Sequence, residues 1–206
     1  KRMTPNKEDY LKCIYEIGTD MQKITNKEIA ARMQVSPPAV TEMIKRMKSE
    51  NLILKDKENG YLLTDIGLKL VSELYRKHRL IEVFLVHHLD YTSDQIHEEA
   101  EVLEHTVSDL FVKRLDKLLG FPQTCPHGGT IPAEGELLVE INNLPLAAVQ
   151  EAGTYLLTRV HDSFELLKYL EKHAIHIGDQ LQVKQFDGFS NSFTLVNKDE
   201  DLQVSM

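Results

Sequence analysis

The 206 residues carry a formal charge of −8, divided into +4 over residues 1–77 and −12 over the rest, so the basic part suits phosphate and the acidic part a cation or a partner. That length predicts more than one small domain, no apolar run approaches the roughly 18 residues of a membrane span, and two cysteines exclude a disulfide scaffold. The polar start, Lys1 to Tyr10, lacks the apolar stretch of a secretory leader, which makes the cytoplasm the expected location.

Tyr10, Leu11, Ile14, Tyr15 and Ile17 recur with helical spacing and predict a helix over 6–17 that stops at Gly18. Thr25 or Asn26 caps a short second helix through Ile29, Ala30 and Met33, and Ser36 then reads as an N-cap with Pro37 and Pro38 in the first turn. The third helix runs to about Glu50. Its apolar positions are Val40, Met43, Ile44 and Met47, which leaves Pro38, Thr41, Glu42, Lys45, Arg46 and Lys48 on the exposed faces. Short strands at 52–55 and 61–63 flank a charged turn at 56–60. Together these predict a winged helix-turn-helix over residues 1–72.

A long helix follows over 65–89, and Thr92 or Ser93 opens another through Ile96, Val102, Leu103, Val107, Leu110 and Phe111. A third stretch continues through Leu115, Leu118 and Leu119 to Gly120. These apolar faces exceed what one small domain buries, so residues 73–143 are expected to form a helical dimerisation and metal-binding domain of a homodimer. The stretch FPQTCPHGGTIPAEG at 121–135 is an irregular, structured loop or linker. A helical segment is expected around 144–150. Strand-like alternation at 153–162, a helix at 164–173 and strands over 179–196 then predict a small β-barrel over 144–206. The fold class is mainly α with β.

In a winged helix-turn-helix the second helix of the motif enters the major groove, and the wing and helix ends hold phosphates. Positions 36–48 are thus the expected reader of double-stranded DNA. Thr41 and Glu42 face base edges, while Pro37, Pro38 and Ala39, following Ser36, make an apolar tip suited to thymine methyls. Asn26, Lys27, Lys45, Arg46, Lys48 and Lys57 are placed for phosphates. A solvated charged face on a helical bundle is the plainer alternative.

His97, Glu101, Glu104 and His105 stand at i, i+4, i+7 and i+8, on one helix face where carboxylates and imidazoles can converge on a divalent cation. His78 and Glu82 form an i, i+4 pair on the preceding helix, and Cys125-Pro126-His127 follows in the rigid loop. Two rival functions are weaker. A metal-dependent hydrolase lacks support because HEEAE at 97–101 puts a glutamate where HExxH needs its second histidine. A protein-interaction adaptor would rest on the C-terminal aromatics Tyr155, Phe164, Tyr169, Phe186, Phe189 and Phe193.

The motifs EDYLKCIYE at 8–16, SPPAVTEMIKRM at 36–47, LTDIG at 63–67, RKHRLIEVFL at 76–85, HEEAEVLEH at 97–105 and TCPHGGTIP at 124–132 together resemble the diphtheria toxin repressor and manganese transport regulator family, and within it the manganese-responsive streptococcal branch. The resemblance implies a dimeric, metal-dependent repressor of metal-uptake genes that binds palindromic operators and has an SH3-like C-terminal domain. It implies Mn2+ as the cofactor, with Fe2+ the alternative and Zn2+ or Cd2+ able to occupy the sites in vitro. One implied site uses Asp9, Glu101, Glu104 and His105. The other uses His78 or Glu82 with Cys125, His127 and Asp162, and His97 joins whichever site its ring reaches or supports a ligand from behind. Lys12 stands where two-domain relatives carry a glutamate that bridges a metal pair, so a dinuclear cluster is not expected. Oxygen ligands at Asp9 and Glu101, where iron-type members carry methionine and cysteine, point toward manganese.

Overall fold

Helix α1 (Pro5–Thr19) turns Tyr10, Leu11, Ile14 and Ile17 into a hydrophobic core, as their spacing requires. The structure is a computed structural model that describes residues 5–20, 22–92, 95–142, 144–161, 163–197 and 200–205. Its chain divides into two compact units. The first comprises residues 1–78, 104–107 and 132–139, and the second residues 79–103, 108–131 and 140–206.

In the first unit, helix α2 (Asn26–Met33) begins where the Thr25 side chain accepts from the Glu28 backbone N–H. Helix α3 (Pro37–Ser49) begins after Ser36, with prolines in its first two positions. The Ser36 side chain makes no capping bond, so the prolines, which need no N–H acceptor there, set this start instead. Strands β1 (Ile53–Asp56) and β2 (Gly60–Leu63) pair antiparallel, Ile53 opposite Leu63 and Asp56 opposite Gly60. Asp56 Oδ1 accepts from the backbone of Glu58 and Asn59, which closes the turn. Gly60 has φ +84°, and a Cβ there would lie 2.0 Å from the carbonyl oxygen of Ile24. The core joins the three helices to the wing through Ile29, Val40, Ile44, Met47, Leu52 and Ile53, and reaches Val71 and Leu74 on helix α4 (Asp65–Leu89).

In the second unit, α4 buries Leu80, Ile81, Val83 and Leu85, helix α5 (Ile96–Glu104) buries Ile96 and Ala100, and helix α6 (Asp109–Leu118) buries Val112 and Leu115. The sequence reads as one helix from about 92 through Phe111. The structure breaks it after Glu104, because Ser108 is the N-cap of α6 and its hydroxyl accepts from the Phe111 N–H. Of the two expected caps for the earlier helix, Ser93 lies outside the described residues.

Residues 146–148 form a single 3-10 turn. Beyond it stand strand β3 (Gly153–Leu156), helix α7 (Phe164–Lys172), and strands β4 (Gln180–Asp187), β5 (Ser192–Asn197) and β6 (Glu200–Ser205). The four strands are antiparallel in the order β3-β4-β5-β6. Tyr169 and Leu170 of α7 pack with the sheet's Leu181, Val183, Phe193, Leu195 and Leu202. This is an open SH3-like sheet, which corrects the expectation of a barrel. Closure needs strand number, tilt and stagger to match, and here β3 and β6 remain separate edges among the described residues. No helix among the described residues is long and apolar enough to cross a membrane.

Candidate metal centre

The first cluster lies within the first unit. Asp9 projects from the second turn of α1, Glu104 is the last residue of α5, and His105 follows it in the turn. His105 Nε2 is 3.1 Å from Asp9 Oδ1 and 3.7 Å from Glu104 Oε1, and all three residues offer ligand atoms within 4.8 Å of one another. The other ring nitrogen of His105 meets Glu8 Oε2 at 2.7 Å. A carboxylate there fixes the ring's orientation and leaves Nε2 toward Asp9 and Glu104.

Glu104 is fully buried and is held from two further sides. Lys12 Nζ donates to both of its oxygens, at 3.1 and 3.4 Å, and His78 Nδ1 lies 2.6 Å from Oε2. Burial pushes the Glu104 carboxyl up, but the His78 bond and the Lys12 ammonium outweigh it and hold the group below its usual range. Glu104 is therefore an anion in a dry place. Lys12 in turn lies over the Tyr75 ring, whose hydroxyl donates to Glu16.

The second cluster lies within the second unit. Glu82 of α4 and Cys125 and His127 of the following loop are all buried, with ligand atoms within 4.8 Å of one another. The loop's shape is set by its backbone: Cys125 N–H donates to Gly129 O, and Gly128 N–H returns to Cys125 O. Gly128 has φ +81°, and a Cβ there would sit 1.9 Å from the carbonyl oxygen of Thr158. Next to it Val160 N–H donates to His127 O at 3.0 Å, so the 158–160 segment is laid directly on the ligand loop. Glu140 fastens the same region. Its carboxylate accepts from Arg79 at 2.7 Å and from the Thr130 N–H at 2.9 Å, and pairs with Arg159 at 3.2 Å.

Both donor sets suit a divalent ion. The first offers two carboxylates and an imidazole, the second a carboxylate, a thiol and an imidazole. Of the expected ligands, the structure brings Asp9, Glu104 and His105 together, and separately Glu82, Cys125 and His127. It places His78 on Glu104. His97 and Glu101 are half-buried on the earlier turns of α5. Asp162 lies outside the described residues. Glu8, Arg79, Glu140 and Arg159 escaped the sequence reading, since each acts through a partner far along the chain that no local spacing reveals.

The expected DNA face is also in the first unit. Ser36, Pro37, Pro38, Thr41, Glu42, Lys45, Arg46 and Lys48 of the α3 region are exposed, as are Lys27 and Lys57. Thr41 Oγ1 donates to Pro37 O at 3.0 Å and accepts from Asn26 Nδ2 at 3.1 Å. Glu42 and Arg46 pair across one helical turn at 3.5 Å.

A winged helix-turn-helix whose first helix sets Asp9 against His105, in a chain with a further cluster of candidate donors at Glu82, Cys125 and His127, fits a DNA-binding protein governed by a divalent cation. Comparison with known proteins agrees. Residues 2–61 match the model of the N-terminal DNA binding domain of iron dependent repressors, and residues 64–133 that of their metal binding and dimerisation domain. The repressor ScaR, solved with bound Zn2+, is 63% identical, covering 97% of this chain and 94% of that one with a TM-score of 0.93. The manganese regulator SloR is 60% identical over 98% of this chain and 94% of its own, with a TM-score of 0.88. The diphtheria toxin repressor of Corynebacterium diphtheriae is 26% identical across 99% of this chain and 94% of that protein. The chain belongs to the iron-dependent repressor family. It is a metal-dependent, DNA-binding transcriptional repressor rather than an enzyme, which sets the hydrolase reading aside.

Proposed function

We propose that the protein senses Mn2+ in the cytoplasm and, as a homodimer, closes on palindromic operators that control metal-uptake genes. The observation that carries this reading is the 3.1 Å approach of His105 to Asp9, a side chain on the first helix of the DNA-binding domain. Asp9, Glu101, Glu104 and His105 form one ligand set, in which α5 supplies Glu101 and Glu104 and the turn that follows it supplies His105. Glu82, Cys125 and His127, joined by Asp162, form the other. Residues 1–72 act as the DNA-binding domain, 73–143 as the dimerisation and metal-binding domain, and 144–206 as the SH3-like domain. ScaR is described as manganese-activated and SloR as a manganese regulator, and the oxygen-rich first set favours the same ion here. ScaR has been solved with Zn2+ and with Cd2+, so both ions are expected to fill these sites in vitro, with Fe2+ the physiological alternative.

A divalent cation bound at the first set supplies the positive charge that its carboxylates lack. Without it, Lys12, His78 and His105 offset only in part the repulsion between Glu104 and Asp9, and α1 is held less firmly. Lys12 supplies one positive charge to Glu104 and so limits this cluster to a single ion. With the repulsion neutralised, His105 and Asp9 hold α1, and α3 keeps the position from which two protomers reach half-sites about 34 Å apart. A sharp response needs the DNA-competent state to be favoured by about 3–5 kcal/mol on loading.

Fluorescence anisotropy of a labelled palindromic duplex at fixed salt tests this reading. Affinity should tighten tenfold or more when chelator is replaced by Mn2+, and equal affinity in both would overturn it.

A further inference from the structure

The first turn of α1 carries a second polar contact that the metal cluster does not use. Lys7 Nζ donates to both carboxylate oxygens of Glu50, at 2.7 and 2.6 Å, across 43 residues of sequence. Glu50 is the C-cap of α3, the recognition helix. A carboxylate at a helix C-terminus opposes the helix dipole, so α3's own stability does not explain an acid at this position. An ammonium at that end is favourable, and Lys7 brings it from another helix, with its side chain only 11% exposed. The next two residues, Glu8 and Asp9, both reach His105, at 2.7 and 3.1 Å. Three consecutive residues of one helical turn thus hold the end of the recognition helix on one side and the metal cluster on the other.

We propose that Lys7 is a positioning residue: its ion pair with Glu50 transmits the state of the Asp9 cluster to the recognition helix. The proposal rests on the metal-sensing reading above. When α1 is held by its cluster, Lys7 fixes the C-terminal end of α3. When α1 shifts, the pair opens and α3 loses that anchor. Lys7 does not touch the bound ion, and Glu50 lies at the far end of α3 from the Ser36–Ala39 tip.

The test uses full-length dimer and two single variants, Lys7→Met and Glu50→Gln. Mn2+ stoichiometry without DNA, measured by calorimetry, should equal the parent's in both, since neither residue is a ligand, while Mn2+ affinity falls modestly because the lost pair favoured the metal-bound arrangement. The readout is the ratio of duplex affinity in Mn2+ to that in chelator. The two substitutions change net charge in opposite directions, so any general effect on DNA attraction has opposite sign and cancels in the ratio. A transmitting contact lowers the ratio at least fivefold in both, and the double variant Lys7→Glu with Glu50→Lys recovers most of it. The proposal is overturned if the ratio stays within twofold of the parent, or if both affinities fall equally, as loss of a merely structural contact would produce. A parent with no metal dependence at all would show instead that the sensing reading itself is wrong, and transmission would fall with it.

Discussion

Lys12 donates to both oxygens of the fully buried Glu104, one helix supplying the cation that the end of another requires. This pair makes the first cluster dry yet charged. Breaking one side of a buried ion pair is costly, because the remaining charge stays desolvated. Lys12→Met is therefore expected to destabilise the metal-free protein by about 3 kcal/mol, with much of the loss recovered on adding Mn2+. Urea denaturation with and without the ion measures both. An equal loss in the two conditions would show that Lys12 does not share Glu104 with the site. Lys12→Glu should raise the Mn2+ bound per chain by one ion, counted by elemental analysis, since it replaces a repelling ammonium with a ligand.

The sequence makes α1 to α4 readable because their apolar positions repeat cleanly and Thr25, Pro37 and Pro38 punctuate them. It hides the break between α5 and α6, since Val102, Leu103, Val107, Leu110 and Phe111 continue a helical period while the decisive bond from Phe111 N–H to Ser108 is local and polar. Glu104 and His105, and Glu82, Cys125 and His127, stand out as candidate donors by type and spacing, whereas Asp9 enters only through the resemblance. Their partners do not stand out: Glu8 lies 97 residues from His105, and Arg79 lies 61 from Glu140. Such pairs depend on how chain segments come together, which periodicity does not encode. The open edges of the C-terminal sheet were equally hidden, because alternation marks a strand without saying whether the first pairs with the last.

Gly128 is held at positive φ with the Thr158 carbonyl against its missing side chain. Gly128→Ala must either push the 158–160 segment away or distort the loop that carries Cys125 and His127. The expected cost is about 1–3 kcal/mol, together with at least tenfold weaker Cd2+ binding at the thiol. The cadmium–thiolate charge-transfer absorbance reports that site alone. Unchanged titration would mean that loop position and segment docking are independent.

Glu140 lies between Arg79, Arg159 and the Thr130 N–H. Burial raises its pKa, but the Arg79 charge, the Thr130 bond and Arg159 together hold it below the usual range. A carboxyl whose folded pKa is depressed contributes stability above its unfolded pKa, and that contribution disappears as pH falls through the folded value. The stability difference between the parent and Glu140→Gln should be flat at neutral pH and shrink below about pH 4.3. Chemical denaturation across that range measures it, and a difference that grows on acidification would contradict the assignment.

Thr41 is exposed on α3, yet its hydroxyl is already engaged, donating to Pro37 O and accepting from Asn26. A hydroxyl committed in both directions has little left for a base edge, so what Thr41 offers DNA is its methyl group, beside the apolar Pro37–Ala39 tip. A methyl suits thymine C5 in the major groove. Thr41→Val, which keeps the methyl and removes the hydroxyl, should retain duplex affinity within about threefold, whereas Thr41→Ser, which keeps the hydroxyl, should lose about 1 kcal/mol at a thymine-bearing position. Replacing thymine by uracil in the labelled duplex supplies the matching deletion on the DNA side. If Thr41 reads that methyl, uracil weakens the parent and the valine variant and leaves the serine variant unaffected. If uracil weakens all three alike, the methyl is read by another residue, and Thr41 serves only to tie α2 to α3 through Asn26.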